Sequence, residues 1–111
     1  MLTDAPDIEA LARFGSALAD LIRCRILLAL CEAPVYPSDL AEAIGVSRTR
    51  LPNHLSCLRD CGLVVTVPDG RRTRYELADA RLGHALDALR RSVVAVEHDK
   101  TCPDADTKGC C

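Results

Sequence analysis

The residues best placed to do chemistry are cysteines, seven of them in 111 positions. An odd count argues against a closed disulfide framework. The opening Met1-Leu2-Thr3-Asp4 lacks the basic start and apolar run of a secretion signal, so a cytoplasmic location is expected, where thiols are kept reduced. Metal binding or redox sensing is then the leading use for at least some of these thiols. Cys57 and Cys61 are one helical turn apart, so on a helix one ion could meet both sulfurs. Cys102 falls in a stretch of Asp, Lys, Pro and Gly that reads as a mobile tail and can supply a third ligand after folding. Three thiolates with no obvious imidazole partner favour soft ions of low coordination demand, Cd(II), Pb(II) or As(III), over Mg(II) or Ca(II). Cysteine is also a common small buried residue, and that is the preferred reading of Cys24 and Cys31. The adjacent Cys110 and Cys111 read as an auxiliary soft-metal site, as a point of metal capture, or as passive residues.

The elements that must position these thiols follow from the apolar pattern. Leu11, Phe14 and Leu18 recur at helical spacing and predict a first helix over about Ile8 to Leu18. A second runs from about Leu21 to Leu30 with Ile22, Ile26, Leu27 and Leu30 inward, and Pro34 and Pro37 stop it. A short third helix, opened by Pro37 or Ser38, ends at Gly45, a residue suited to a left-handed cap. Ser47 is the expected N-cap of a fourth helix running to about Asp60. Leu63–Val67 and Arg72–Leu77, joined by Pro68-Asp69-Gly70, predict a β-hairpin. A last helix spans about Asp79 to Val96, where Leu82, Leu86, Leu89, Val93 and Val96 form a seam for another helix, either within the chain or in a second copy. Hydrophobic residues reach 49% but aromatics only 3%, so the core must be built from Leu, Val, Ile and Ala.

A short helix, a glycine turn and a helix with a basic start make a helix-turn-helix. With a basic hairpin after it, the expected fold is mainly α with a β-hairpin wing, a winged helix-turn-helix of order α1-α2-α3-αR-β-β-α5, assembled as a homodimer. Such readers bind paired half-sites. Residues 1–97 form the DNA-binding and dimerisation domain and 98–111 the cysteine-containing tail. The net charge of −2 would not suggest a nucleic acid partner, but charge is segregated: between Ser47 and Arg74 six arginines face two aspartates, leaving the rest of the chain at −6. Ser47, Arg48, Thr49, Arg50, Asn53 and His54 are the candidates for base and phosphate contact in the major groove. Arg71, Arg72 and Arg74 are the candidates for backbone contact by the wing.

The runs NHLSCLRDCGLV, GRRTRYEL and RCRILLAL resemble the ArsR/SmtB family of metal-responsive repressors, and within it the cadmium/lead sensors, over about Leu11 to Cys102. The resemblance implies a metal-free dimer that represses its own operon, usually beside an efflux gene. It also implies a Cd(II) or Pb(II) site made across the dimer by Cys57, Cys61 and Cys102, whose filling releases the DNA. The chain departs from the family pattern at Leu21-Ile22, where Pro-Thr is frequent, and at Pro52, where Ser is common. Inside a helix Pro52 removes a hydrogen bond and crowds the carbonyl of Arg48, so the recognition helix is either kinked there or begins later. Two other family sites are not matched. Val35-Tyr36-Pro37 stands where an arsenic-type site has a Cys-Val-Cys-like run, and His84, Asp87, Glu97 and His98 lack the spacing of the zinc-type site.

Three rivals remain. An As(III)-responsive repressor would use the same three thiolates, and a thiol redox-responsive regulator would oxidise Cys57 and Cys61 without metal. A cysteine-nucleophile enzyme lacks an evident Cys/His/Asp arrangement, so no enzymatic activity is expected. No stretch approaches the roughly 20 apolar residues of a membrane span. The expected partners are operator DNA, a second copy of the chain and a soft metal ion.

Overall fold

The computed structural model describes residues 5–99, with side chains to residue 95. Five helices and one hairpin follow in the order α1 (Ala5–Leu18), α2 (Leu21–Glu32), α3 (Pro37–Ile44), α4 (Leu51–Asp60), β1 (Val64–Asp69), β2 (Arg72–Leu77) and α5 (Ala80–Asp99). The expected winged helix-turn-helix is what the chain forms. Cys102, Cys110 and Cys111, with the rest of the tail from residue 100, lie outside the described residues.

Asp20 starts α2 as its N-cap, its Oδ1 accepting from the backbone N–H groups of Ile22 (2.8 Å) and Arg23 (3.0 Å). These two bonds are the main reason its carboxyl sits below the usual range, that from Arg23 first. Asp79 opens α5, accepting from the Arg81 backbone at 2.8 Å. The Arg81 guanidinium beside it holds its carboxyl down at about 2. Gly45 closes α3 with φ 73°, the left-handed conformation its position requires.

The core is aliphatic, as the composition demanded. Ile26, Leu27, Leu40 and Leu58 are fully enclosed, bringing α2, α3 and α4 together, with Phe14 and Tyr75 packed at its margin. In α1 only part of the apolar stripe turns inward: Ala17 is buried and Phe14 and Leu18 pack on the core, while Leu11 is 67% exposed. The α5 seam is likewise divided. Leu86 is buried and Leu82 packs beside it against this chain's own core, whereas Leu89 and Val93 are 43% and 53% exposed.

α1 begins three residues earlier and α5 ends three residues later than expected, and two boundaries next to the candidate DNA-contacting residues also differ, each for a local reason. Regular helix α4 starts at Leu51, not just after Ser47, which places Pro52 in the first turn, where its missing N–H costs nothing. The preceding residues form a turn in which the Ser47 carbonyl accepts from the N–H groups of Arg50 (3.2 Å) and Leu51 (3.1 Å). The hairpin register pairs Asp69 with Arg72 and Pro68 with Thr73, so the loop is Gly70-Arg71 and both Pro68 and Asp69 belong to β1. Gly70 takes φ 65° at the first loop position, which a two-residue hairpin loop of this kind asks of a glycine. Val35 adds a single bridge to the outer side of β2, its N–H donating to the Tyr75 carbonyl at 3.0 Å and its carbonyl accepting from Tyr75 at 2.7 Å.

Candidate metal and nucleic-acid sites

Cys57 and Cys61 occupy the C-terminal end of α4, the Cys61 N–H donating to the Cys57 carbonyl at 3.0 Å. The helix stops there in a defined way. Cys61 is the C-cap, Gly62 follows at φ 78°, its N–H donates to the Arg59 carbonyl (2.9 Å), and the Leu63 N–H reaches back to Leu58 (3.0 Å). This is the paired-bond glycine cap that satisfies the last carbonyls of a helix, and it fixes the backbone under Cys61. Both thiols are half-buried. Burial, followed by the neighbouring Cys57, pushes the Cys61 thiol up, while Arg13 of α1 and Arg23 of α2 act in the opposite sense.

The donor set fits a soft ion as far as it goes: two reduced thiols on one helical turn, backed by low-polarity packing. Among the described residues no third Cys, His, Asp or Glu joins them in a metal-ready cluster. The other two cysteines among the described residues are engaged differently. The Cys24 thiol donates to the Leu18 carbonyl at 3.0 Å and the Cys31 thiol points at the Gly83 carbonyl at 4.0 Å, and burial raises both. Such protonated, donating thiols behave as small packing residues. On α5, Asp87 is held by Arg90 (2.9 Å) and Arg91 (2.7 Å), and His84 is exposed.

At the opposite end of α4, Ser47, Arg48, Thr49, Arg50 and Asn53 are all exposed. The first four stand in the turn before the helix, and Asn53 on its first turn. The Ser47 hydroxyl is partly committed, accepting from the Arg50 N–H at 3.2 Å and meeting the Thr49 hydroxyl at 3.1 Å. Arg48 lines a shallow cleft with Pro37, Ser38, Pro52 and Tyr75. His54 does not join this exposed group: its side chain is 14% exposed and Nδ1 lies 4.0 Å from Asp20 Oδ1. On the wing Arg71 and Arg72 are exposed and Arg74 is half-buried. Arg72 and Arg74 also carry internal partners that a single sequence does not reveal. The Arg72 guanidinium lies 3.5 Å from the Tyr36 ring centroid and 3.8 Å from Asp39, while Arg74 sits between Asp69 (3.7 Å) and Glu76 (3.4 Å).

A helix-turn-helix with an exposed polar and basic front edge, continued by an arginine-bearing hairpin, defines a transcription regulator of the winged-helix class. Residues 20–66 match the family described as bacterial regulatory protein, arsR family. The chain is 52% identical over 102 residues to the HTH-type transcriptional regulator CmtR of Mycobacterium tuberculosis, covering 92% of this chain and 86% of that one. It therefore belongs to the ArsR family. Its fold superposes on the NMR structure of the cadmium metal-sensor CMTR from Mycobacterium tuberculosis with a TM-score of 0.67 at 53% identity, over 82% of this chain and 95% of that one. A homodimeric winged helix-turn-helix DNA-binding domain from Mycobacterium bovis superposes with a TM-score of 0.75 at 30% identity, over 87% and 90% of the two chains. No helix among the described residues is long and apolar enough to cross a membrane.

Proposed function

We propose that this regulator is a soft-metal-responsive repressor. Its metal-free homodimer holds operator DNA, and uptake of Cd(II) or Pb(II) by Cys57, Cys61 and Cys102 of the partner subunit lowers that affinity. The observation that carries the reading is the placement of a thiol pair and an exposed basic edge at the two ends of one helix, α4. The similarity to a protein described as a cadmium metal-sensor supports the choice of ion. A bound soft ion would supply a fixed link between thiolates that are otherwise joined only through the fold. The residues do the rest. Cys57 and Cys61 give up their protons, Cys102 is drawn in, and α4 carries the displacement to Arg48, Arg50 and Asn53. A coupling of about 1–3 kcal/mol between the two sites changes operator affinity roughly 5- to 150-fold.

The decisive experiment is an anaerobic titration of the reduced protein with Cd(II), Pb(II) and arsenite, following sulfur-to-metal charge transfer and operator-DNA anisotropy together. One ion bound per subunit with loss of DNA binding is expected, and Cys61→Ser should keep DNA binding while losing the metal response. A Cys61→Ser protein that still releases DNA fully would remove Cys61 from the site. Arsenite outcompeting both divalent ions would reassign the inducer, and release by peroxide in the presence of chelator would favour a thiol redox switch.

A further inference from the structure

Tyr36 lies in the connector between α2 and α3, thirty-three residues from its partner Asp69 at the end of β1, yet its hydroxyl donates to the Asp69 carboxylate. Its ring carries the Arg72 guanidinium at 3.5 Å from the centroid. Two further contacts tie this region to the hairpin: the Val35–Tyr75 backbone bridge from the same connector, and the pair at 3.8 Å between Arg72 and Asp39 in the first turn of α3. The hairpin is therefore fastened to the helix-turn-helix midway along β2 by backbone bonds and at its tip by Tyr36. A two-stranded hairpin is marginal alone, and its tip would otherwise sample many orientations. Stacking occupies the flat face of a guanidinium and leaves its N–H edge to polar partners; on Arg72 the Nη2 faces the exposed Asp39 at 3.8 Å, beyond hydrogen-bond distance, so that edge can still take a phosphate.

Resting on the reading of this chain as a DNA-binding repressor, we propose that Tyr36 is a positioning residue for the wing. It fixes the hairpin tip and presents the edge of Arg72 toward the DNA backbone, without itself needing to touch DNA. The Asp69 bond raises the tyrosine's pKa, the hydroxyl proton being shared with the carboxylate. The hydroxyl thus remains a donor throughout the neutral range.

The test uses the full-length metal-free protein and its Tyr36→Ala and Tyr36→Phe variants. In 1H–15N spectra the Arg72 Hε signal should be shifted upfield by the ring in the wild type and in Tyr36→Phe, and return to its ordinary position in Tyr36→Ala. Against DNA carrying the promoter region of its own operon, Tyr36→Ala should weaken binding by roughly 5- to 30-fold, two wings each losing a contact of exposed cation–π strength. The slope of log affinity against log salt should become shallower by up to about 2, one phosphate contact per wing. Tyr36→Phe, which keeps the stack and loses only the Asp69 bond, should fall between. A purely structural role would lower the melting temperature and leave the salt slope unchanged in the folded protein. An unshifted Arg72 Hε in the wild type would overturn the contact itself. A Tyr36→Ala protein with wild-type affinity and slope would overturn the positioning role alone, and a wild type that holds no such DNA would sink the repressor reading.

Discussion

The surroundings of Cys61 bear directly on the metal capture proposed for it. Its thiol is raised by burial and by the adjacent Cys57, with Arg13 and Arg23 pulling the other way, so near neutral pH a proton must leave before the sulfur can act as a ligand. Every thiol that deprotonates on binding adds about one log unit of metal affinity per pH unit, until pH passes its own pKa. Cadmium affinity measured by chelator competition should therefore climb steadily between pH 6 and pH 8, and a flat profile would mean that the ligands are not these protonated thiols. The spacing of Cys57 and Cys61 was legible from the chain alone, because a helical turn brings them to one face. The arginines beside them were not. Arg13 and Arg23 arrive from other helices, and Arg23 is held in place by bonds to the carbonyls of Ala17 (2.9 Å) and Ser16 (3.0 Å). Nothing in the local sequence announces that.

Helix α4 is the element on which the proposed response turns. At ten residues it is about 15 Å long, short enough to move as one rod with thiols at one end and exposed polar groups at the other. Gly62 sets the sulfur end. Its φ of 78° is a conformation that a side chain strains, so Gly62→Ala should cost about 1 kcal/mol in stability by denaturant unfolding. Because the strained residue adjoins Cys61, the same variant should also bind cadmium more weakly than its modest loss of stability explains. Unaltered cadmium affinity would show that the cap does not hold the site. A glycine directly after the last apolar turn is a readable stop signal, and Pro52 was a readable warning at the other end. What the sequence left open was how Pro52 would be accommodated. The chain answers by delaying the helix to Leu51, which puts Arg48, Thr49 and Arg50 on the turn before it.

At the scale of the whole molecule, most of the exposed large aliphatic groups among the described residues lie on the outer helices, Ile8 and Leu11 on α1 and Leu89, Val93 and Val94 on α5, the others being Leu21 and Leu28 on α2 and Val65 on β1. A second copy of the chain covering these faces is the assembly the repressor reading requires. Val93→Glu should leave the protomer folded, since Val93 lies outside the core, but yield a monomer by sedimentation with operator affinity largely lost. A Val93→Glu protein that stays dimeric would move the interface elsewhere. The winged-helix topology was legible because each helix and strand carried its own period and punctuation. The division of the α5 seam was not, since Leu82 and Leu89 differ in what faces them and not in kind. Pro68 has a separate bearing on the fate of the protein in a crowded cell. Among the described residues β2 is flanked on both sides, by β1 and by Val35, while the far side of β1 has no strand against it. An open strand edge invites other chains to add to it, and a proline there offers no N–H for the newcomer to bond. A residue expected in the loop thus sits in β1 instead, and takes away one of the N–H groups through which another chain could extend the wing's sheet.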